Sequence, residues 1–227
     1  MKPPHWALAL SDAPRALVDA AFLLTARPLL NRLPSGNGEA VMVIPGFLGD
    51  DRGNQPLINF LTKLGYNATG WGQGSNLGPS NFSEESLRVD LTRLVESTRG
   101  KVTLIGHSLG GIYAREIART EPDNIRQVIT LGSPFGPGRT TSSHASRMFN
   151  RLNPDRDPRD NDSALTTPPP VPTTAIYTKA DGVVNWRTSR QEGNHDHVHN
   201  IEVLGSHIGL NLNAAVWYWV AKKLADA

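Results

Sequence analysis

The segment Lys101-Val102-Thr103-Leu104-Ile105-Gly106-His107-Ser108-Leu109-Gly110-Gly111-Ile112-Tyr113 joins two different hydrophobic periods across one serine. Residues 101–105 form a short apolar run rich in β-branched side chains, the pattern of a strand buried on both faces. From Leu109 onward, Ile112, Tyr113 and Ile117 recur at three- and four-residue spacing, the pattern of a helix. Between them Gly106 and Gly110 flank Ser108 two positions to either side, in the order G-x-S-x-G. A strand-to-helix turn that tight leaves no room for side chains at the flanking positions. It lifts the serine oxygen above the sheet edge, in front of the first helical amides. A plain βα turn packed on glycine would need no serine at its crest.

The rest of the chain repeats the strand–helix alternation. Strands are expected at Ala40–Ile44, Tyr66–Trp71, Val128–Leu131, Thr174–Thr178 and Asn200–Leu204. Helices are expected after a cap at Asn54, with Leu57, Ile58, Leu61 and Leu64 on one face, and after a cap at Ser83, with Glu84 and Glu85 in the first turn. A last helix is expected over Leu212–Ala225, with Leu212, Val216, Trp219, Val220 and Leu224 inward. This order specifies an α/β fold: a mostly parallel sheet of about six strands with helices on both faces. The 227 residues suffice for one such domain.

Two regions fall outside the alternation. Residues 1–35 are read as an N-terminal helical extension, with a helix over Pro14–Arg27 capped by Ser11 or Asp12. Its expected apolar face is Leu17, Ala20, Ala21, Phe22 and Leu24, packed on the domain, on a second copy or on a membrane surface. The remaining 36–227 form the main domain, interrupted at about 136–172 by a proline-rich, polar stretch. That stretch follows the strand beyond Ser108, so it is expected to lie over the same sheet edge as a short polar lid, with a helical turn near Ser142–Leu152.

Bulk properties exclude several classes of function. The net charge of +2, from 23 basic and 21 acidic residues, gives no nucleic-acid footprint. The absence of cysteine removes disulfides, thiolate catalysis and cysteine-based zinc sites. No run of about eighteen apolar residues exists to span a bilayer. Asp12, Pro14, Arg15 and Asp19 break the apolar core that a secretory signal needs, so a cytoplasmic location is expected.

A serine hydroxyl needs a base, and the base an orienting acid. Asp181 follows the strand 174–178 and His207 follows the strand 200–204, so both emerge at the edge that carries Ser108, in the chain order Ser, Asp, His. Asp196 competes with Asp181, and His195, His197 and His199 compete with His207. All four precede the last strand rather than leaving it, and are set aside. An oxyanion would need two backbone donors: Leu109, directly after the serine, and Phe47 in Pro45-Gly46-Phe47-Leu48-Gly49 after the first strand, with Leu48 as the alternative. Leu48, Trp71, Phe135, Val183 and Ile208 are the candidates for an apolar substrate pocket. Alternation in His195-Asp196-His197-Val198-His199, with Glu192 nearby, also suits zinc, but no distant ligand is indicated and the triad needs no metal or other cofactor.

Val43-Ile44-Pro45-Gly46-Phe47-Leu48, Gly106-His107-Ser108-Leu109-Gly110-Gly111, Ala180-Asp181-Gly182-Val183-Val184 and Gly205-Ser206-His207-Ile208-Gly209-Leu210 together resemble the α/β-hydrolase superfamily, in its bacterial lipase- and esterase-like group. Thr130-Leu131-Gly132-Ser133-Pro134 is similar to the strand end that follows the elbow in many lipases. The resemblance spans about 40–227. It implies Ser108 as nucleophile, Asp181 as acid, His207 as base, and hole amides at Phe47 and Leu109. Pro45 stands where many members carry histidine, and the first strands of the full fold are missing, so a compact variant is expected. The implied activity is hydrolysis of small-molecule or lipid esters of short to medium acyl chains. The same residues would serve acyl transfer or thioester cleavage, and a catalytically silent binding module is the contrasting expectation.

Overall fold

The computed structural model describes residues 1–79, 84–98, 100–154 and 162–227. Among these residues six strands form one sheet: β1 (Ala40–Ile44), β2 (Asn67–Gly70), β3 (Val102–His107), β4 (Ile125–Leu131), β5 (Thr173–Tyr177) and β6 (Val198–Glu202). Their order is β2-β1-β3-β4-β5-β6 and every pairing is parallel. The winding direction reverses between β1 and β3, and open α/β sheets bind ligands in the crevice at the carboxyl ends of such strands.

Alternate side chains of the inner strands feed two cores. Val41 and Val43 point with Ile105, Ile129 and Ile176 toward one face, covered by α1 (Trp6–Leu30), α2 (Asp51–Lys63) and α7 (Ala214–Ala225). Ala40, Met42 and Ile44 point with Leu104 and Val128 toward the other, covered by α3 (Glu84–Thr98) and α4 (Leu109–Thr120). β1, β3, β4 and β5 are buried on both faces and so read as largely apolar without alternation, whereas the edge strands β2 and β6 are partly exposed. On α7 the fully buried tryptophan is Trp217, stacked on Phe60 with ring centroids 4.5 Å apart, while Trp219 is partly buried.

Other boundaries and faces differ from expectation. α2 starts at Asp51 with Asp50 as its cap, and Asn54 lies inside the helix, fully buried, accepting from Asn211 Nδ2 at 2.8 Å. The expected cap at Ser83 and the polar run 155–161 lie outside the described residues. α1 is 25 residues long, capped by His5, with Pro14 and Pro28 inside it. Its expected apolar face is turned outward: Leu17 is 75% exposed, Phe22 65% and Leu24 62%. Asp12, Ala16, Leu23 and Leu30 face the domain instead. The rotation follows from hydrogen bonding: Asp12 and Asp19 each accept several donors from the domain, and buried donors left without acceptors cost more than apolar side chains left in water.

Within 136–172 the described residues form one turn at Arg139–Thr141 and two short helices, α5 (Ser146–Leu152) and α6 (Asp162–Thr166). Ser143 bridges Val184 across to the loop after β5, which sets this segment over the carboxyl edge of the sheet. Its inner side is less polar than its composition suggests: Met148, Phe149 and Leu165 all face the crevice described next.

Candidate active site

Ser108 sits between β3 and α4 with φ 50° and ψ −117°. A non-glycine residue there is strained by roughly 1–3 kcal/mol, and such strain persists only where the surroundings impose it. They do here. A Cβ on Gly110 would lie 2.3 Å from Ile44 O, and one on Gly106 would lie 2.3 Å from the Gly111 backbone. β1, β3 and the start of α4 therefore meet at glycine-only distances, and the serine takes the one conformation left.

Asp181 and His207 leave β5 and β6 at the same edge. Both are buried, at 2% and 4% exposure, and Asp181 Oδ2 accepts from His207 Nδ1 at 2.7 Å. The other carboxylate oxygen accepts the amides of Val183 and Val184 at 2.9 and 2.8 Å, which fixes the acid before the imidazole meets it. Gly132, with φ 59°, makes room for the ring: a Cβ there would lie 3.1 Å from His207 Nδ1. Burial opposes the charging of His207, but the charge and hydrogen bond of Asp181, together with the charge of Asp12, outweigh it. Its pKa is raised above the ordinary imidazole value. His207 and Ser108 line one cavity, and neither His207 Nε2 nor Ser108 Oγ has a hydrogen-bond partner among the described residues. In unliganded sites such contacts are often long and tighten with substrate.

His107, beside the serine, contributes differently. Its Nε2–H donates to the His207 carbonyl at 2.9 Å, and the two rings lie 5.1 Å apart. Burial first, and then the charge of His207, push its pKa down to about 3, so it is a neutral brace between the two loops.

The amides of Phe47 and Leu109 donate to no acceptor among the described residues, and both residues line the cavity. The Leu48 amide is committed to Asn76 O at 2.7 Å, which removes it as the alternative donor. Leu48 has φ 65°, a second strained position in the same loop. Asn76, fully buried, clamps that loop from the segment after β2: its Nδ2 donates to Pro45 O at 2.8 Å and its own amide to Gly49 O at 2.8 Å. Sequence reading gave Asn76 no role, because an asparagine in a glycine-rich loop looks like any turn residue.

The cavity measures about 930 Å³. Of the expected pocket residues, Leu48, Val183 and Ile208 line it. Trp71 does not: it packs in the core under α3 and donates Nε1–H to Gly74 O. Phe135 is also fully buried, with the Arg115 guanidinium 3.8 Å over its ring, and borders a separate, smaller pocket. The apolar walls are completed by Ile112, Met148, Phe149 and Leu212, with Phe149 edge-on to Phe47 at 5.3 Å.

Asp196, His195, His197 and His199 all lie away from this cavity. His197 hydrogen-bonds Pro169 O at 3.1 Å, and the rings of His195 and His197 are 6.1 Å apart. Among the described residues no group of three or more His, Asp or Glu is arranged to hold a metal ion. No helix among them is long and apolar enough to cross a membrane.

Residues 39–169, more than half of the chain, match the family model described as the alpha/beta hydrolase fold. The chain belongs to the α/β-hydrolase family. Within it, RutD of Variovorax paradoxus (strain S110), a protein named for carbamate hydrolysis, is 24% identical over 119 residues, which are 50% of this chain and 43% of that relative. The chain thus aligns with less than half the length of that protein. The monoacylglycerol lipase of Paleococcus ferrophilus superposes with a TM-score of 0.58 at 17% identity, covering 84% of this chain and 96% of that one. A thioesterase domain from the curacin biosynthetic pathway gives 0.55 at 16%, covering 85% and 93%. A metagenome-derived lipolytic enzyme described with LipS and LipT gives 0.61 at 13%, covering 85% and 94%. These likenesses establish the α/β-hydrolase fold.

Proposed function

We propose that this α/β-hydrolase is a serine carboxylic-ester hydrolase acting through Ser108, His207 and Asp181. The reading rests chiefly on one observation: His207, hydrogen-bonded at 2.7 Å to buried Asp181, lines one cavity with a strained serine and with two residues whose amides are uncommitted. Ser108 Oγ attacks the acyl carbon as its proton passes to His207 Nε2. The carbonyl electron pair moves onto oxygen, and that oxyanion is held by the amides of Phe47 and Leu109. Collapse re-forms the carbonyl and breaks the ester bond, and His207 returns the proton to the leaving alkoxide. Water then repeats the sequence on the acyl-enzyme and releases the acid. Asp181 fixes the imidazole tautomer and stabilises its cation throughout.

Small-molecule or lipid esters of short to medium acyl chains suit the cavity. Its apolar wall of Leu48, Ile112, Phe149, Val183, Ile208 and Leu212 would take the chain, and about 930 Å³ is ample for such a ligand. A series of chromogenic esters of increasing length tests this reading. Turnover should peak in the short-to-medium range and vanish in Ser108→Ala. Turnover of none of them, or turnover kept by Ser108→Ala, would refute it.

A further inference from the structure

We propose that Asp12, on the N-terminal helix, is a positioning residue that sets the triad by holding the acid loop and the histidine loop together. The proposal rests on the function read above for Ser108, His207 and Asp181. α1 precedes residues 39–169, the span that matches the family model. The Asp12 carboxylate is 2% exposed and reaches both loops at once. Its Oδ2 accepts the amide of Gly182, the residue after the acid, at 2.8 Å and the amide of His207 itself at 3.0 Å. Its Oδ1 accepts the amide of Ile208 at 2.9 Å. Chain positions 182 and 207 are thus joined through one side chain from a third element.

The neighbouring residues fit this role. A Cβ on Gly182 would lie 2.3 Å from Leu8 O and 2.7 Å from Asp12 Oδ2, so glycine is what lets the acid loop approach the helix. Asp19, two turns further along, accepts the Ser206 amide at 2.9 Å, the Ser206 hydroxyl at 2.7 Å and Asn213 Nδ2 at 3.0 Å, but has no hydrogen bond to the acid loop. Arg15 donates to Asp12 Oδ2 and to Gly205 O, both at 3.2 Å, closing the network from the solvent side.

The charge of Asp12 has a second consequence. The titratable or charged groups around His207 are Asp181 on the β5 loop, His107 at the end of β3, and Asp12 on α1; Arg15 and Asp19 reach it only through Asp12 and Ser206. Asp12 favours the imidazolium that forms whenever His207 carries the serine proton. Arg15 carries the opposite charge 3.2 Å from Asp12 Oδ2.

Two variants of the full-length chain test the proposal by opposite signs. Asp12→Asn removes the charge and sets an amide N–H₂ against backbone donors. It should lower kcat by roughly 10- to 100-fold through loop displacement, with KM within about twofold. It should also move the acid limb of the kcat/KM–pH profile to lower pH. Arg15→Met should move that limb to higher pH. The His207 ring titration, followed by NMR in both variants, should shift in the same directions and needs no turnover. If Asp12→Asn does not fold, the Arg15→Met titration and pH profile decide alone. An unchanged titration and kcat in the folded variants would make Asp12 merely structural and overturn the proposal. Shifts in the titration without any esterase activity in the wild type would keep the positioning role and refute the function.

Discussion

The Ser108 hydroxyl is too weak a nucleophile near neutral pH to act alone, so the residue-scale expectations concern what surrounds it. Ser108→Ala and His207→Ala should each reduce kcat by roughly 10⁴- to 10⁶-fold with cooperative unfolding retained, whereas Asp196→Ala, away from the cavity, should leave ester turnover within about twofold. Steady-state kinetics on the three variants checks the assignment. His207 accepts the serine proton only when neutral, and its pKa lies above the ordinary value, chiefly through Asp181 once burial is overcome. Activity should therefore fall as pH drops through that raised pKa. Asp181→Asn removes the nearest negative charge, so the acid limb of kcat/KM should move to lower pH while kcat falls about 10⁴-fold. A limb that stayed in place would mean another group titrates there.

At the scale of elements, the site is a set of loops held from outside. Asn76→Ala removes the side-chain donor to Pro45 O, freeing the loop that presents the Phe47 amide. Its expected signature is a loss of roughly 10-fold or more in kcat with KM little changed, alongside about 1–3 kcal/mol of stability, read from kinetics and denaturant midpoints. Gly110→Ala would force a Cβ onto Ile44 O and should cost a further 1–3 kcal/mol or so of overpacking. How much of this the sequence carries depends on where the signal lies. The inner strands β1, β3, β4 and β5 are legible because burial on both faces makes them largely apolar runs, and Ser108, Asp181 and His207 stand out past strand exits. Asn76 and Asp12 are illegible because their partners belong to other elements, so no local spacing marks them. The face of α1 is misread for the same reason. Periodicity assumes that apolar side chains decide orientation, whereas here two hydrogen-bonded carboxylates, buried Asp12 and partly buried Asp19, decide it. Trp71 and Phe135 are natural pocket choices by size and apolarity, yet both are used in the core.

Across the whole molecule, the cavity lies where the strand order reverses, with its floor supplied by the β1 and β3 exits and its outer wall by α5. The polar composition of 136–172 conceals that wall: Met148 and Phe149 turn inward while the charged residues of the segment dominate the sequence pattern. Phe149→Ala should weaken preference for the longer acyl chains by about 1–3 kcal/mol, roughly 10- to 200-fold in relative kcat/KM, and leave the shortest ester nearly unaffected. A uniform loss at every chain length would instead place Phe149 in fold stability.

Covalent labelling with a fluorophosphonate, followed by peptide mass mapping, interrogates the nucleophile directly. One adduct per chain is expected, on Ser108, absent from Ser108→Ala and strongly slowed in His207→Ala. A wild-type protein that takes no label, or an adduct that survives in Ser108→Ala, would contradict the proposed chemistry.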